Sequence, residues 1–121
     1  MKVKIDTKEK FHVIMLEEEN LPANMTEELS GFLLPYLQKP VRNVVLKLGS
    51  VLHMDEVIAR TFAEIQQTFY ESNASFVMCE LQPVVEKYLD EIELLEILNI
   101  TPTESEAWDI VQMEEIEREL F

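Results

Sequence analysis

Glycine is nearly missing from this chain: Gly31 and Gly49 are the only two in 121 residues. Neither a Walker-type phosphate loop nor a GxGxxG dinucleotide turn can be built from them, because both motifs need several glycines within one turn to bring backbone against phosphate. Cysteine is scarcer still. Cys79 cannot form an internal disulfide, and within SFVMCEL it reads as a buried strand residue rather than a nucleophile. The two histidines, His12 and His53, stand apart with no CxxC or HExxH spacing, which argues against a zinc site. Positive charge is also in short supply, with 10 Lys and Arg against 24 Asp and Glu and a formal net charge of −14. Such a surface repels nucleic acid and anionic membranes. No apolar run reaches the length of a bilayer span, and MKVKIDTKEKF lacks the apolar core of a secretory signal, so the cytoplasm is the expected location.

What is present fits one globular domain spanning 1–121, with 47% hydrophobic and 28% charged residues. Val3 and Ile5 alternate with polar neighbours as an edge strand does, and Phe11 to Leu16 is a continuous apolar run suited to an interior strand. After an acidic turn at Glu17-Glu18-Glu19, Asn24 and Glu27 have capping-box spacing, and Met25, Leu29, Phe32, Leu33, Tyr36 and Leu37 then recur at helical intervals up to Pro40. Strands follow at Val44 to Leu48 and Phe76 to Cys79, with a helix from about Asp55 to Tyr70 between them. Pro83 is placed to open a short helix, Leu98 to Ile100 forms a last short strand, and Thr103 with Glu106 forms a capping box for a final helix from about 103 to 120. The order is ββαβαβαβα, an α/β fold with a mixed sheet of four to five strands and helices covering it.

Asn43 to Ala59, NVVLKLGSVLHMDEVIA, carries the most functional content. An apolar strand runs through Gly49-Ser50 into a helix opening at Met54-Asp55-Glu56. Working surfaces of open α/β sheets lie outside the carboxyl ends of strands, where helix N-termini offer free N–H groups and positive dipole. Asp55 supplies an anion there, and as an N-cap it contributes about 1 kcal/mol. Val57, Ile58, Phe62, Ile65 and Phe69 are expected to form the buried stripe of that helix. Ser50 and Thr61 are the nearby hydroxyls, the first in an accessible loop and the second beside the stripe. The adjacent carboxylates of Glu17-Glu18-Glu19 and Glu114-Glu115 read as surface charge, because paired acid/base chemistry needs a pocket.

A phosphoacceptor receiver domain has similar size and order, but Leu46-Lys47-Leu48 ends the corresponding strand without an acceptor aspartate. The chain instead resembles the STAS domain of anti-sigma factor antagonists over roughly Val3 to Val111. Three segments carry the resemblance. LPANMTEEL, Leu21 to Leu29, is similar to the family's entry into its first helix. NVVLKLGSVLHMDEVIA resembles the family's strand, loop and second-helix start, usually written like VVLDLSGVTFIDSSGLGVL. LLEILNITPTESEAWDIV, Leu94 to Val111, looks like the family's LxxLFPVYPSLEEAL ending.

The resemblance implies a STAS-like fold and a non-enzymatic regulator that binds a GHKL-type serine kinase anti-sigma factor in partner switching, without metal or cofactor. Aligning Gly49 with the family's glycine puts Met54 at the family's aspartate, Asp55 at its phosphorylatable serine, Glu56 at the next serine and Val57 at the following glycine. A carboxylate carries about one negative charge where phosphoserine carries about 1.5 to 2, so Asp55 imitates the modified state in part. The implied partner surface comprises Asn24, Met25, Ser50, His53, Met54, Asp55, Glu56 and Val57. The alternative is a scaffold or homo-oligomer in which the acidic final helix docks a neighbour: eleven Asp/Glu and one basic residue, Arg118, lie between Leu89 and Phe121, and Ile110, Met113, Ile116 and Leu120 drift around the helix axis. A small acid-dependent hydrolase would need carboxylates clustered in a pocket and has least support.

Overall fold

A five-stranded mixed sheet organises the molecule. The computed structural model describes residues 1–120; Phe121, expected at the end of the final helix, lies outside the described residues. β1 (Val3–Thr7) pairs antiparallel with β2 (His12–Leu16), and a short β3 (Asn20–Leu21) comes next in the chain. β2, β4 (Val44–Lys47), β6 (Phe76–Cys79) and β7 (Ile100–Thr101) run parallel to one another, giving the strand order β1-β2-β4-β6-β7 with β4 central. Outside that sheet, β3 pairs parallel with β5 (His53–Met54). α1 (Thr26–Leu33), α2 (Glu56–Glu71), α3 (Pro83–Glu91) and α4 (Glu104–Leu120) follow strands in the expected order.

Alternation along the inner strands divides the core between two faces. Ile14, Leu16, Val44, Leu46, Phe76 and Met78 point to one side, where they meet Leu29 and Leu33 of α1, Ile58, Phe62, Ile65 and Phe69 of α2, and Val85 and Leu89 of α3. Val13, Val45, Val77 and Cys79 point to the other, covered by Ala107 and Val111 of α4. Phe11 stacks on Trp108 there, with ring centroids 4.8 Å apart. Buried Asn43 ties the amino end of β4 to three elements: its Oδ1 accepts from Ser75 N–H at 2.8 Å, and its Nδ2 donates to the Lys10 carbonyl at 3.0 Å and to Glu115 at 2.7 Å.

With glycine scarce, helix ends use other residues in the left-handed region. Asn73 (φ 60) follows α2 and Glu93 (φ 63) follows α3. Each completes the same pair of closing bonds: Asn73 N–H to Tyr70 and Ala74 N–H to Phe69 at 3.1 and 2.9 Å, Glu93 N–H to Asp90 and Leu94 N–H to Leu89 at 3.1 and 2.9 Å.

Several local expectations are corrected. No Asn24–Glu27 capping box forms: Pro22 leads into a 3-10 turn, Ala23–Met25, and the N-cap of α1 is Met25 with no side-chain cap bond. That helix stops at Leu33 and tightens into 3-10 geometry over Leu34–Gln38, because Pro35 lacks an N–H and its ring crowds the carbonyl four residues back. The last sheet strand is Ile100–Thr101, not Leu98 to Ile100. Thr103 does cap α4, its Oγ1 accepting from Glu106 N–H at 3.2 Å, but the Glu106 carboxylate accepts from the Thr103 hydroxyl at 3.0 Å. The acidic turn after β2 leads directly into β3.

Candidate functional site

β4 leaves the sheet toward the carboxyl end, and the Leu48 N–H still donates to the Cys79 carbonyl at 3.0 Å. The chain then turns at Gly49-Ser50, with Val51 N–H closing onto Leu48 at 3.1 Å and the Val51 side chain fully buried as an anchor. Two neighbouring loops hold the segment from Gly49 to Asp55. Leu52 and His53 both donate to the Glu19 carbonyl, at 2.8 and 3.0 Å, and Asp55 N–H donates to the Leu21 carbonyl at 3.0 Å. From the other side, Gln82 Nε2 donates to the Gly49 carbonyl at 2.7 Å. Gln82 is reached through Glu80, whose φ of 60 turns the chain sharply as it leaves β6.

Asp55 occupies the N-cap of α2 in extended geometry (φ −70, ψ 149), and its Oδ1 accepts from Val57 N–H at 2.8 Å. The carboxylate satisfies one free donor of the helix and remains at the surface with the helix dipole behind it. Glu56 is also exposed and accepts from Arg60 at 2.9 Å, an exposed i,i+4 pair of the kind that contributes about 0.3 to 0.5 kcal/mol. Tyr88 of α3 faces the same charges: burial first, then Glu56 and Asp55, push its phenol above the usual range, with Arg60 pulling the other way.

The structure places the sequence-derived residues along one rim. The 3-10 turn carrying Asn24 and Met25 packs against α2, and Ser50, His53, Asp55 and Glu56 lie on the adjoining loop and helix start. Two assignments change. Met54 turns inward and is 8% exposed, so it belongs to the core, whereas Val57, expected in the buried stripe, is 51% exposed. Thr61 is buried and donates to the Val57 carbonyl at 2.7 Å, a structural role.

Sequence reasoning missed the second wall. Leu52, His53, Met54, Val84, Val85 and Tyr88 enclose a cleft of about 230 Å³ between β5 and α3. Leu52 is 39% and Val84 53% exposed, so together with Val57 they put apolar surface beside the Asp55 carboxylate. The available signal was Val84 and Tyr88, four apart and hence on one side of the Pro83 helix. On the opposite side of the sheet, Lys47 lies 3.5 Å from Glu80 and 3.4 Å from Glu104, fastening the start of α4 to the end of β4. Among the described residues, no group of three or more His, Cys, Asp and Glu is arranged to hold a metal ion. No described helix is long and apolar enough to cross a membrane.

The STAS domain model matches residues 3–107, and the chain belongs to the STAS-domain family. No curated protein sequence gives a significant match. Among solved structures, a putative anti-sigma factor antagonist from Thermotoga maritima is 20% identical, with 91% of this chain and 94% of that one covered at a TM-score of 0.75. An anti-sigma factor antagonist from Mycobacterium paratuberculosis is 13% identical over 92% and 93% of the two chains, TM-score 0.76. SpoIIAA of Bacillus in its phosphorylated form is 16% identical over 91% and 99%, TM-score 0.65. At these identities the likeness concerns the fold, which has the expected STAS order.

Proposed function

We propose that this chain is a cytoplasmic anti-sigma factor antagonist that binds a GHKL-type serine kinase anti-sigma factor through the rim around Asp55. Asp55 is a permanent anion at the position where relatives carry a phosphorylatable serine. One observation carries the reading: an exposed carboxylate caps α2 at the carboxyl end of the parallel strands, with exposed Leu52, Val57 and Val84 beside it. A charged point flanked by apolar surface suits protein recognition, in which apolar contacts supply affinity and the charge fixes register. SpoIIAA has been determined in a phosphorylated form, so addition of negative charge has precedent in that relative. Here the charge is built in. Asp55 carries less of it than phosphoserine and offers fewer acceptor oxygens, so the chain binds with one fixed intermediate affinity in place of two switched ones.

Affinity capture from source-cell extract with the wild-type chain and an Asp55→Asn variant, followed by mass spectrometric identification, tests the reading. A kinase-fold protein retained by the wild type and altered in yield by the variant is expected. Recovery of copies of this chain alone would overturn it in favour of a scaffold.

A further inference from the structure

A second apolar stripe runs down the outward side of α4. Ala107 and Val111 face the sheet and are fully buried, whereas Met113, Ile116 and Leu120 are 55%, 57% and 72% exposed. At about 100° per residue the three exposed side chains fall within about 60° of one another, on the side of the helix opposite Ala107 and Val111. Their i, i+3, i+7 spacing is that of a helix-packing seam rather than of scattered surface apolars. The stripe lies beyond residue 107, where the match to the family model ends, and is separate from the Asp55 rim.

Its exposed charged neighbours are all acidic. Asp109 lies in line with the stripe one turn before Met113, Glu117 and Glu119 flank its two sides, and Gln112, on the Glu119 side, is neutral. Arg118, the only basic residue after Leu89, is half-buried and turned away, donating to Ser75 Oγ at 3.3 Å. We propose that this face docks an amphipathic helix of a protein partner, one whose apolar seam is flanked by lysine and arginine. With Met113 and Leu120 at a and Ile116 at d, Glu117 and Glu119 take the flanking e and g positions, where charge selects the partner. A second copy of α4 would set carboxylate against carboxylate in the antiparallel orientation, between two chains each of net charge −14. The same carboxylates repel an anionic bilayer.

The test uses the full chain, isotope-labelled, titrated by NMR with a synthetic three-heptad peptide carrying leucine at a and d and lysine at e and g. One control is a scrambled peptide of the same composition, and a second carries glutamate at e and g. Shifts confined to the Met113–Leu120 face of α4 are expected with the first peptide only, and binding should weaken several-fold when ionic strength rises from about 0.05 to about 0.3 M. The double variant Met113→Gln with Ile116→Gln changes exposed positions, so its spectrum should remain that of the folded chain while affinity falls by at least about tenfold. Equal binding of the scrambled peptide, shifts elsewhere, or wild-type affinity in the folded double variant would each overturn the proposal. Dimerisation of the chain alone through this face, seen by sedimentation, would overturn it as well.

Discussion

Asp55 and Leu21 are joined through their backbones: the Asp55 N–H donates to the Leu21 carbonyl at 3.0 Å, so the residue that opens α2 is held by the strand that precedes α1. The two segments implied in recognition, around Asn24 and around Asp55, are thereby fixed relative to each other before any partner arrives. Preorganisation of this kind lowers the ordering cost of binding.

Replacing Asp55 separates its cap from its charge. Asp55→Asn and Asp55→Ser each retain a good N-cap oxygen for Val57 N–H, so chemical denaturation should show changes of only a few tenths of a kcal/mol, while Asp55→Ala should cost about 1 kcal/mol. Affinity for the captured partner, measured by titration calorimetry, should shift in both capped variants by more than stability does, and Asp55→Ser should accept phosphate from a kinase partner. Wild-type affinity in both would reduce Asp55 to a helix cap.

The apolar half of the rim is open to a parallel test. Leu52 and Val84 are 39% and 53% exposed, so Leu52→Ser and Val84→Glu should change stability by no more than about 0.5 kcal/mol. If they supply the anchor contacts beside Asp55, partner affinity in surface plasmon resonance should fall at least about tenfold, chiefly through faster dissociation. Unchanged dissociation rates in both variants would move the interface away from α3.

Sequence periodicity reveals long, strongly patterned elements better than short ones held by neighbours. Ile58, Phe62, Ile65 and Phe69 identify α2, and Phe76 to Cys79 forms a strand as its apolar run requires. β3 and β5 have two residues each and exist because the Asp55, Leu52 and His53 N–H groups need acceptors across the loop, a demand that leaves no pattern in either segment. Val57 illustrates the same limit at the site. Helical spacing admits it to the edge of the stripe, but Val57 points about 100° around the helix from its fully buried neighbour Ile58, and so faces outward. Asp55 was legible because a cap is a local interaction. The cleft beside it was not, since it needs α3 brought alongside β5 by the fold.

Cys79 should be silent in the native protein. Burial and the Glu80 carboxylate push its thiol up to about 12, against a smaller opposing pull from Lys47. The folded state therefore keeps the proton that the unfolded chain loses near pH 8.5, so this contribution to stability is present below about pH 8.5 and declines as pH rises toward 12. Lys47 acts in the same direction. Burial lowers its pKa, but Glu80 and Glu104 outweigh that and hold it raised, so its ion pairing is lost as pH passes through the folded value. An aromatic disulfide reagent at pH 8 should label Cys79 only after unfolding, and Cys79→Ala should flatten the alkaline fall in melting temperature between about pH 8.5 and 10. Fast labelling of the native chain would contradict the burial argument.

Glu93 offers a test of how this chain ends helices with so little glycine. Its φ of 63 lies where a side chain costs about 1 to 2 kcal/mol relative to the right-handed region, yet its N–H and that of Leu94 close α3 onto Asp90 and Leu89. Glycine at this position keeps both bonds and removes the steric cost, although it also frees the unfolded chain, which offsets part of the gain. Glu93→Gly should therefore stabilise by about 0.5 to 1 kcal/mol, and Asn73→Gly, where the native residue already tolerates the left-handed region, by less. Glu93→Val should destabilise, because a β-branched side chain is strained there. Urea denaturation of the three variants reads the order directly: a loss of stability in Glu93→Gly would mean that the Glu93 side chain makes a compensating contact that its surface position does not suggest.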